Sequence, residues 1–120
     1  MVAEAQQRIR EGRGSELMRV DLGPVGTALY SANHLVSLRG PKTRSDPYQN
    51  ISRIRVPTLI LHGAEDNLVD PGVAERLKAA AVAAPEVRLH MIPGAGHGLP
   101  HRVDDLLPIL GPWLEAIARR

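Results

Sequence analysis

Apolar positions concentrate in two short runs in the second half of the chain. Val56–Leu61 is nearly continuous, with Pro57 at its second position, and His62–Gly63 closes it. Continuous rather than alternating apolar character predicts a strand covered on both faces, as in parallel sheets. Val87–Ile92 instead alternates, Val87, Leu89 and Met91 against Arg88 and His90, which predicts a strand less buried on one face. Between them Asp70 and Pro71 carry the cap-then-proline signature of a helix start. Val73, Leu77, Ala80 and Ala84 share one face of that helix, and Pro85 is expected to end it. The segment from Val103 reads as helical, with Asp104 and Asp105 suited to its first turn. A kink or break is expected at Gly111–Pro112, where Pro112 restarts the helix that carries Trp113, Leu114 and Ile117.

The first half is patterned more weakly. Residues 2–11 read as a short helix stopped by Gly12 and Gly14. Glu16–Leu22 and Val25–Tyr30 are β-leaning around Gly23–Pro24 and Gly26, a pattern compatible with a hairpin. Ser31 suits the cap of a helix over Ala32–Arg39, with Gly40 and Pro41 as its stop. Asp46–Pro47 repeats the same kind of start for a short helix toward Ile54. The expected organisation is a single domain or domain fragment over residues 1–120. Its first part, 1–50, is a helical and hairpin region; its second, 51–120, is an α/β unit.

Residues 56–92 form one strand–helix–strand crossover, with parallel strands at about 56–62 and 87–92 and a further helix behind them. Such units are right-handed in nearly all cases. Both loops that follow the strands then leave the same carboxyl edge of the sheet. Neighbouring strands lie ~5 Å apart, so Asp66 in the first loop and His97 in the second can meet above that edge, where open α/β sheets place their ligands.

Composition narrows the functional classes. The chain has no Cys, which excludes a disulfide framework, a thiolate nucleophile and a cysteine metal site. It has no Phe, and Tyr30, Tyr48 and Trp113 are its aromatics, so core volume must come from Leu, Ile, Val and Ala. A net charge of +2 is no nucleic-acid signature here: the arginines are scattered singly apart from Arg119–Arg120, with no aromatic residues interleaved to stack bases. No window approaches the ~20 apolar residues of a membrane span. MVAEAQQRIREGRG lacks an apolar signal core, so a cytoplasmic location is the default expectation. His97 and His101 are four apart near Asp104 and Asp105, but Pro100 between them disfavours a helical metal-binding face, and no metal is expected. Gly23–Ala28 contains glycine yet fits no phosphate-cradling pattern.

VPTLILHGAEDNLVDP with its helix, then RLHMIPGAGHG with its helix, resembles the C-terminal part of the α/β-hydrolase superfamily over residues ~51–118. In that family the acid of the triad sits in a Gly-x-x-Asp loop after the penultimate core strand, and the histidine in a glycine-rich loop after the last. Gly63-Ala-Glu-Asp66 and Gly94-Ala-Gly-His97-Gly match these position for position. The resemblance implies a partial α/β-hydrolase fold, with Asp66 and His97 as catalytic residues and no organic cofactor. It also implies a small ester, thioester or amide substrate. Histidine suits the base role because its unperturbed pKa is near neutral. A carboxylate on the other ring nitrogen fixes the tautomer and stabilises the imidazolium.

The family's nucleophile has no counterpart here. Ser15, Ser31, Ser37, Ser45 and Ser52 all lack the small residues two positions either side that a Gly-x-Ser-x-Gly elbow needs. Ser31 follows an expected strand and precedes a helix, and a helix cap explains it more simply. Glu65 and Asp70 flank Asp66 and could stand in for the acid, although a surface role and a helix cap fit them better. Two parallel strands and a hairpin also make a poor core, so completion by an N-terminal half, a partner chain or self-association is expected. Three readings follow, in order: a hydrolase portion that supplies acid and base and is inactive alone; a non-catalytic α/β binding or assembly module derived from a hydrolase; and a small hydrolase with Ser31 as an unconventional nucleophile.

Overall fold

In the strand Leu17–Asp21 (β1), Met18 and Val20 are buried while Leu17, Arg19 and Asp21 face solvent, the period of two expected for one covered face. β1 pairs antiparallel with Thr27–Ser31 (β2), placing Leu17 opposite Ser31 and Asp21 opposite Thr27. The connection is a 3-10 turn, Gly23–Val25. The Gly23 amide donates to Asp21 Oδ1 at 2.8 Å, and Gly23 and Gly26 take the positive φ that closes the turn. Helices Val2–Arg10 (α1) and Ala32–Arg39 (α2) complete the unit. Ala5, Met18, Val20, Ala32 and Leu35 form its core, with Leu35 and Val20 the largest fully buried side chains. Ser31 caps α2, its Oγ accepting from the His34 amide at 3.2 Å.

This computed structural model describes the backbone of residues 1–120 and every side chain but that of Pro100. Met1–Asp46 forms one compact unit and Pro47–Arg120 a second.

The second unit begins with a short helix, Pro47–Ile51 (α3). Thr58–Gly63 (β3) and Val87–Ile92 (β4) then pair in parallel, Thr58 opposite Val87 and Gly63 opposite Ile92. The helix Gly72–Ala80 (α4) crosses between them and packs against both strands. Val103–Ala118 (α5) follows, placing Trp113 in the core under the Arg88 guanidinium, whose carbon lies 5.3 Å from the ring centroid. The parallel α/β arrangement is the fold class expected from the two apolar runs.

Four details differ from the sequence reading. β3 starts at Thr58 rather than Val56, because Pro57 has no amide to give the ladder; its first bond is Thr58 N–H to the Glu86 carbonyl at 2.9 Å. From Thr58 to His62 the strand is half-buried throughout rather than covered on both faces, since a two-stranded sheet has too few neighbours to enclose it. α4 ends at Ala80, not at Pro85: Ala81 accepts a non-helical ψ of 51°, and Pro85 disfavours helical geometry at the residue before it. α5 runs unbroken through Pro108 and Pro112. Both prolines are exposed, so the carbonyls they leave unbonded can take water, and a proline φ is itself helical.

Candidate active site

The carboxyl edge of β3 and β4 ends in two loops that are bonded to each other through their backbones. Ala64 N–H donates to the Ile92 carbonyl at 2.9 Å, and Glu65 N–H to the Ala95 carbonyl at 2.9 Å. Gly63 makes this approach feasible. A Cβ there would lie 2.8 Å from the Ala95 carbonyl carbon and closer still to the carbonyl oxygens of Ala95 and Gly96. Gly94 opens the second loop at φ 69°, a conformation that suits glycine.

Asp66 and His97 meet above this edge. His97 Nδ1 lies 2.9 Å from Asp66 Oδ2. The Asp66 side chain is 3% exposed, that of His97 57%. The other carboxylate oxygen, Oδ1, accepts from the Leu68 and Val69 amides, each at 2.9 Å. The Val69 amide first, and then His97 and the Leu68 amide, hold the Asp66 carboxyl down at about 2, overcoming the upward push of burial. An ionised carboxylate only accepts, so His97 Nδ1 must be the donor, and in the neutral ring Nε2 carries the lone pair.

Two further side chains build the site, and neither was assigned to it from the sequence. His62, read as an ordinary strand residue, places Nε2 3.1 Å from the Val69 carbonyl oxygen and 3.3 Å from Asp66 Oδ2. Its position at the carboxyl end of β3, four residues before Asp66, was the available signal. Arg102 reaches back to the histidine loop, donating from Nη1 to the Gly94 carbonyl at 2.9 Å and from Nη2 to that of Pro93 at 3.2 Å, and it also pairs with Asp105. Asp70, expected as the cap of α4, lies one residue before it: Pro71 is the N-cap, and Asp70 Oδ1 accepts from Gly72 N–H at 2.7 Å in the turn that leads in.

Glu65 is exposed and contributes its backbone alone to the junction, so neither it nor Asp70 takes the place of Asp66. His101 lies in the 3-10 turn Leu99–Arg102, exposed. Among the described residues no three His, Cys, Asp or Glu side chains group closely enough to hold a metal ion.

A cavity of about 280 Å³ opens beside the pair, with aliphatic walls from Leu61, Val69, Val73, Leu77 and Leu99. A larger hollow of about 480 Å³ lies in the first unit, beside His34, Lys42 and Arg44, but it contains no acid–imidazole pair. Among the described residues no helix is long and apolar enough to cross a membrane.

Residues 42–103 match the family described as Hydrolase_4, serine aminopeptidase, S33, a stretch that includes both loops, β3, α4 and β4. The chain belongs to this hydrolase family. No curated protein matches it. The matched stretch of this α/β-hydrolase includes Ser45 and Ser52 but no Gly-x-Ser-x-Gly. Ser45 donates its hydroxyl to the Leu38 carbonyl at 2.6 Å and Ser52 to that of Gln49 at 2.7 Å, which are ordinary local turn contacts.

Proposed function

We propose that Asp66 and His97 are the acid and the general base of a serine-type hydrolase acting on an ester, thioester or amide. The nucleophile comes from outside these 120 residues. The observation that carries this reading is the 2.9 Å contact between His97 Nδ1 and Asp66 Oδ2, with the acid buried and the imidazole half open to solvent. In the proposed reaction His97 Nε2 removes the proton from the incoming serine hydroxyl as its oxygen attacks the carbonyl carbon. The same proton then passes to the departing alcohol, thiol or amine as the acyl–heteroatom bond breaks. Water attacks the acyl-enzyme by the same route. Asp66 keeps Nδ1 protonated and stabilises the imidazolium formed in each half.

The test is reconstitution. The chain is combined with a polypeptide bearing a Gly-x-Ser-x-Gly strand–helix turn of the same family, and p-nitrophenol release from a p-nitrophenyl ester is followed. The chain alone should show no burst. In the complemented enzyme His97→Ala should lower kcat by about 10⁶-fold and Asp66→Asn by about 10⁴-fold. Variants that hydrolyse the ester at the parent rate would refute the assignment.

The half-buried β3, together with Val56 at 61% exposure, supports a second reading, a non-catalytic assembly module that docks on a partner chain or a second copy. In that case His97→Ala would leave the association intact and no complement would produce hydrolysis.

A further inference from the structure

We infer that His62 is a positioning residue for the Asp66–His97 pair, acting through the Val69 carbonyl and the Asp66 carboxylate. Its catalytic meaning rests on the acid–base reading above, while its placement is testable in the chain without turnover.

The Val69 carbonyl oxygen can only accept a hydrogen bond. With His62 Nε2 3.1 Å away, that nitrogen must carry the hydrogen, and in the neutral ring Nδ1 holds the lone pair. The same N–H lies 3.3 Å from Asp66 Oδ2, so the carboxylate oxygen that receives His97 sits between two imidazole nitrogens. The ring is 14% exposed and is anchored at the end of β3, directly before Gly63, the residue on which the two loops close.

The consequence runs through the 66–69 turn. Asp66 Oδ1 is held by the Leu68 and Val69 amides, and the far side of the Val69 residue, its carbonyl, is held by His62. The turn is thus fixed at both of its polar groups, and Oδ2 is left facing His97 on one side and the His62 nitrogen on the other. Carboxyl torsions are broad and roughly two-fold, so a burial pocket alone does not select that orientation. Removing His62 frees the Val69 carbonyl and opens the Oδ2 side of the carboxylate to water. The Leu68 and Val69 amides then lose the support that aims them.

The experiment is NMR on the full chain, with His62→Phe and His62→Gln beside the parent. In the parent, long-range proton–nitrogen correlations should show His62 as the Nε2–H tautomer; an Nδ1–H tautomer overturns the inference without any variant. In His62→Phe, hydrogen exchange at Leu68 and Val69 should accelerate by at least about tenfold. The His97 Nδ1–H resonance should also broaden into exchange with solvent. His62→Gln, which keeps an N–H donor at the corresponding position, should restore both signals. A His62→Phe chain with parent-like exchange and an intact His97 signal overturns the inference, as does a His62→Gln chain that behaves like His62→Phe. Failure of the acid–base reading has a different signature: undiminished turnover in a complemented His97→Ala enzyme, with the parent's His97 Nδ1–H signal intact.

Discussion

Replacing Gly63 by alanine adds one methyl group at the junction of the two loops, and its effect can be worked from the contacts. The backbone of Gly63 is not at positive φ, so alanine meets no conformational objection there. Elsewhere such a change commonly stabilises a protein by about 0.4–1 kcal/mol, by restricting the unfolded chain. Here the new carbon would stand 2.8 Å from the Ala95 carbonyl carbon, where unstrained carbon contacts fall at about 3.5–4.0 Å. The atoms in the way are backbone, so the histidine loop must withdraw by something on the order of 1 Å. Hydrogen bonds now at 2.9 Å, Glu65 N–H to Ala95 and His97 to Asp66, would then pass beyond the useful limit of about 3.2–3.5 Å. Overpacking of this kind costs about 1–3 kcal/mol, and a 1 Å displacement of a reacting group about 10²-fold in rate. Denaturant unfolding followed by Trp113 fluorescence measures the first, and the His97 Nδ1–H resonance reports the displacement. Gly111→Ala is the control, because a Cβ there has nothing within 4 Å and lies inside α5, where alanine should stabilise by about 1 kcal/mol. A Gly63→Ala chain as stable as the parent, with the His97 resonance unmoved, would falsify the close-approach argument.

The remaining expectations concern charge, loop support and core. Asp66 has a folded-state pKa pulled down to about 2, so its contribution is fully present above the usual carboxylate range near 4 and is lost as pH falls toward 2. Thermal melts should therefore show the parent losing stability across that window more steeply than Asp66→Asn; parallel profiles would refute the linkage. Arg102→Ala removes two donors from the Gly94 and Pro93 carbonyls and should cost about 1–2 kcal/mol, with faster amide exchange around His97 as the readout. Leu35, 1% exposed, is the largest buried side chain of the first unit, and Leu35→Ala should cost about 2–5 kcal/mol, measured by amide exchange of β1 and β2.

What the sequence made legible follows from where local rules act unopposed. The strand–helix–strand unit was readable because Val56–Leu61, Val87–Ile92 and the Asp70–Pro71 start each need only their own pattern. The meeting of Asp66 with His97 was expected if the two parallel strands are neighbours, as they are. Errors arose where a longer-range fact decided the outcome. Pro112, exposed within α5, looks like a helix breaker until the surrounding solvent and the buried Trp113 are known. The half-buried state of β3 depends on how many strands flank it, which its own apolar run does not encode. His62 was hidden for a related reason. A histidine ending an apolar strand has no pattern of its own, and its meaning lies in a carbonyl seven residues on.

The groups that hold the pair come from a short span of chain. The strands, the Gly63 junction, the Leu68 and Val69 amides, the His62 ring and the Gly94 turn all fall within Thr58–His97, and only the Arg102 clamp lies beyond it. Short separations make such an arrangement inexpensive in loop-closure entropy. Asp66 and His97 can therefore be set at 2.9 Å by a strand–helix–strand unit whose sheet is still half-covered. Under the proposed function, pre-setting the pair in this way leaves an incoming hydroxyl to meet one lone pair, that of Nε2 in the neutral His97 ring, whose partner nitrogen is already committed. This is the condition under which a base gains most from fixed orientation rather than from its intrinsic basicity.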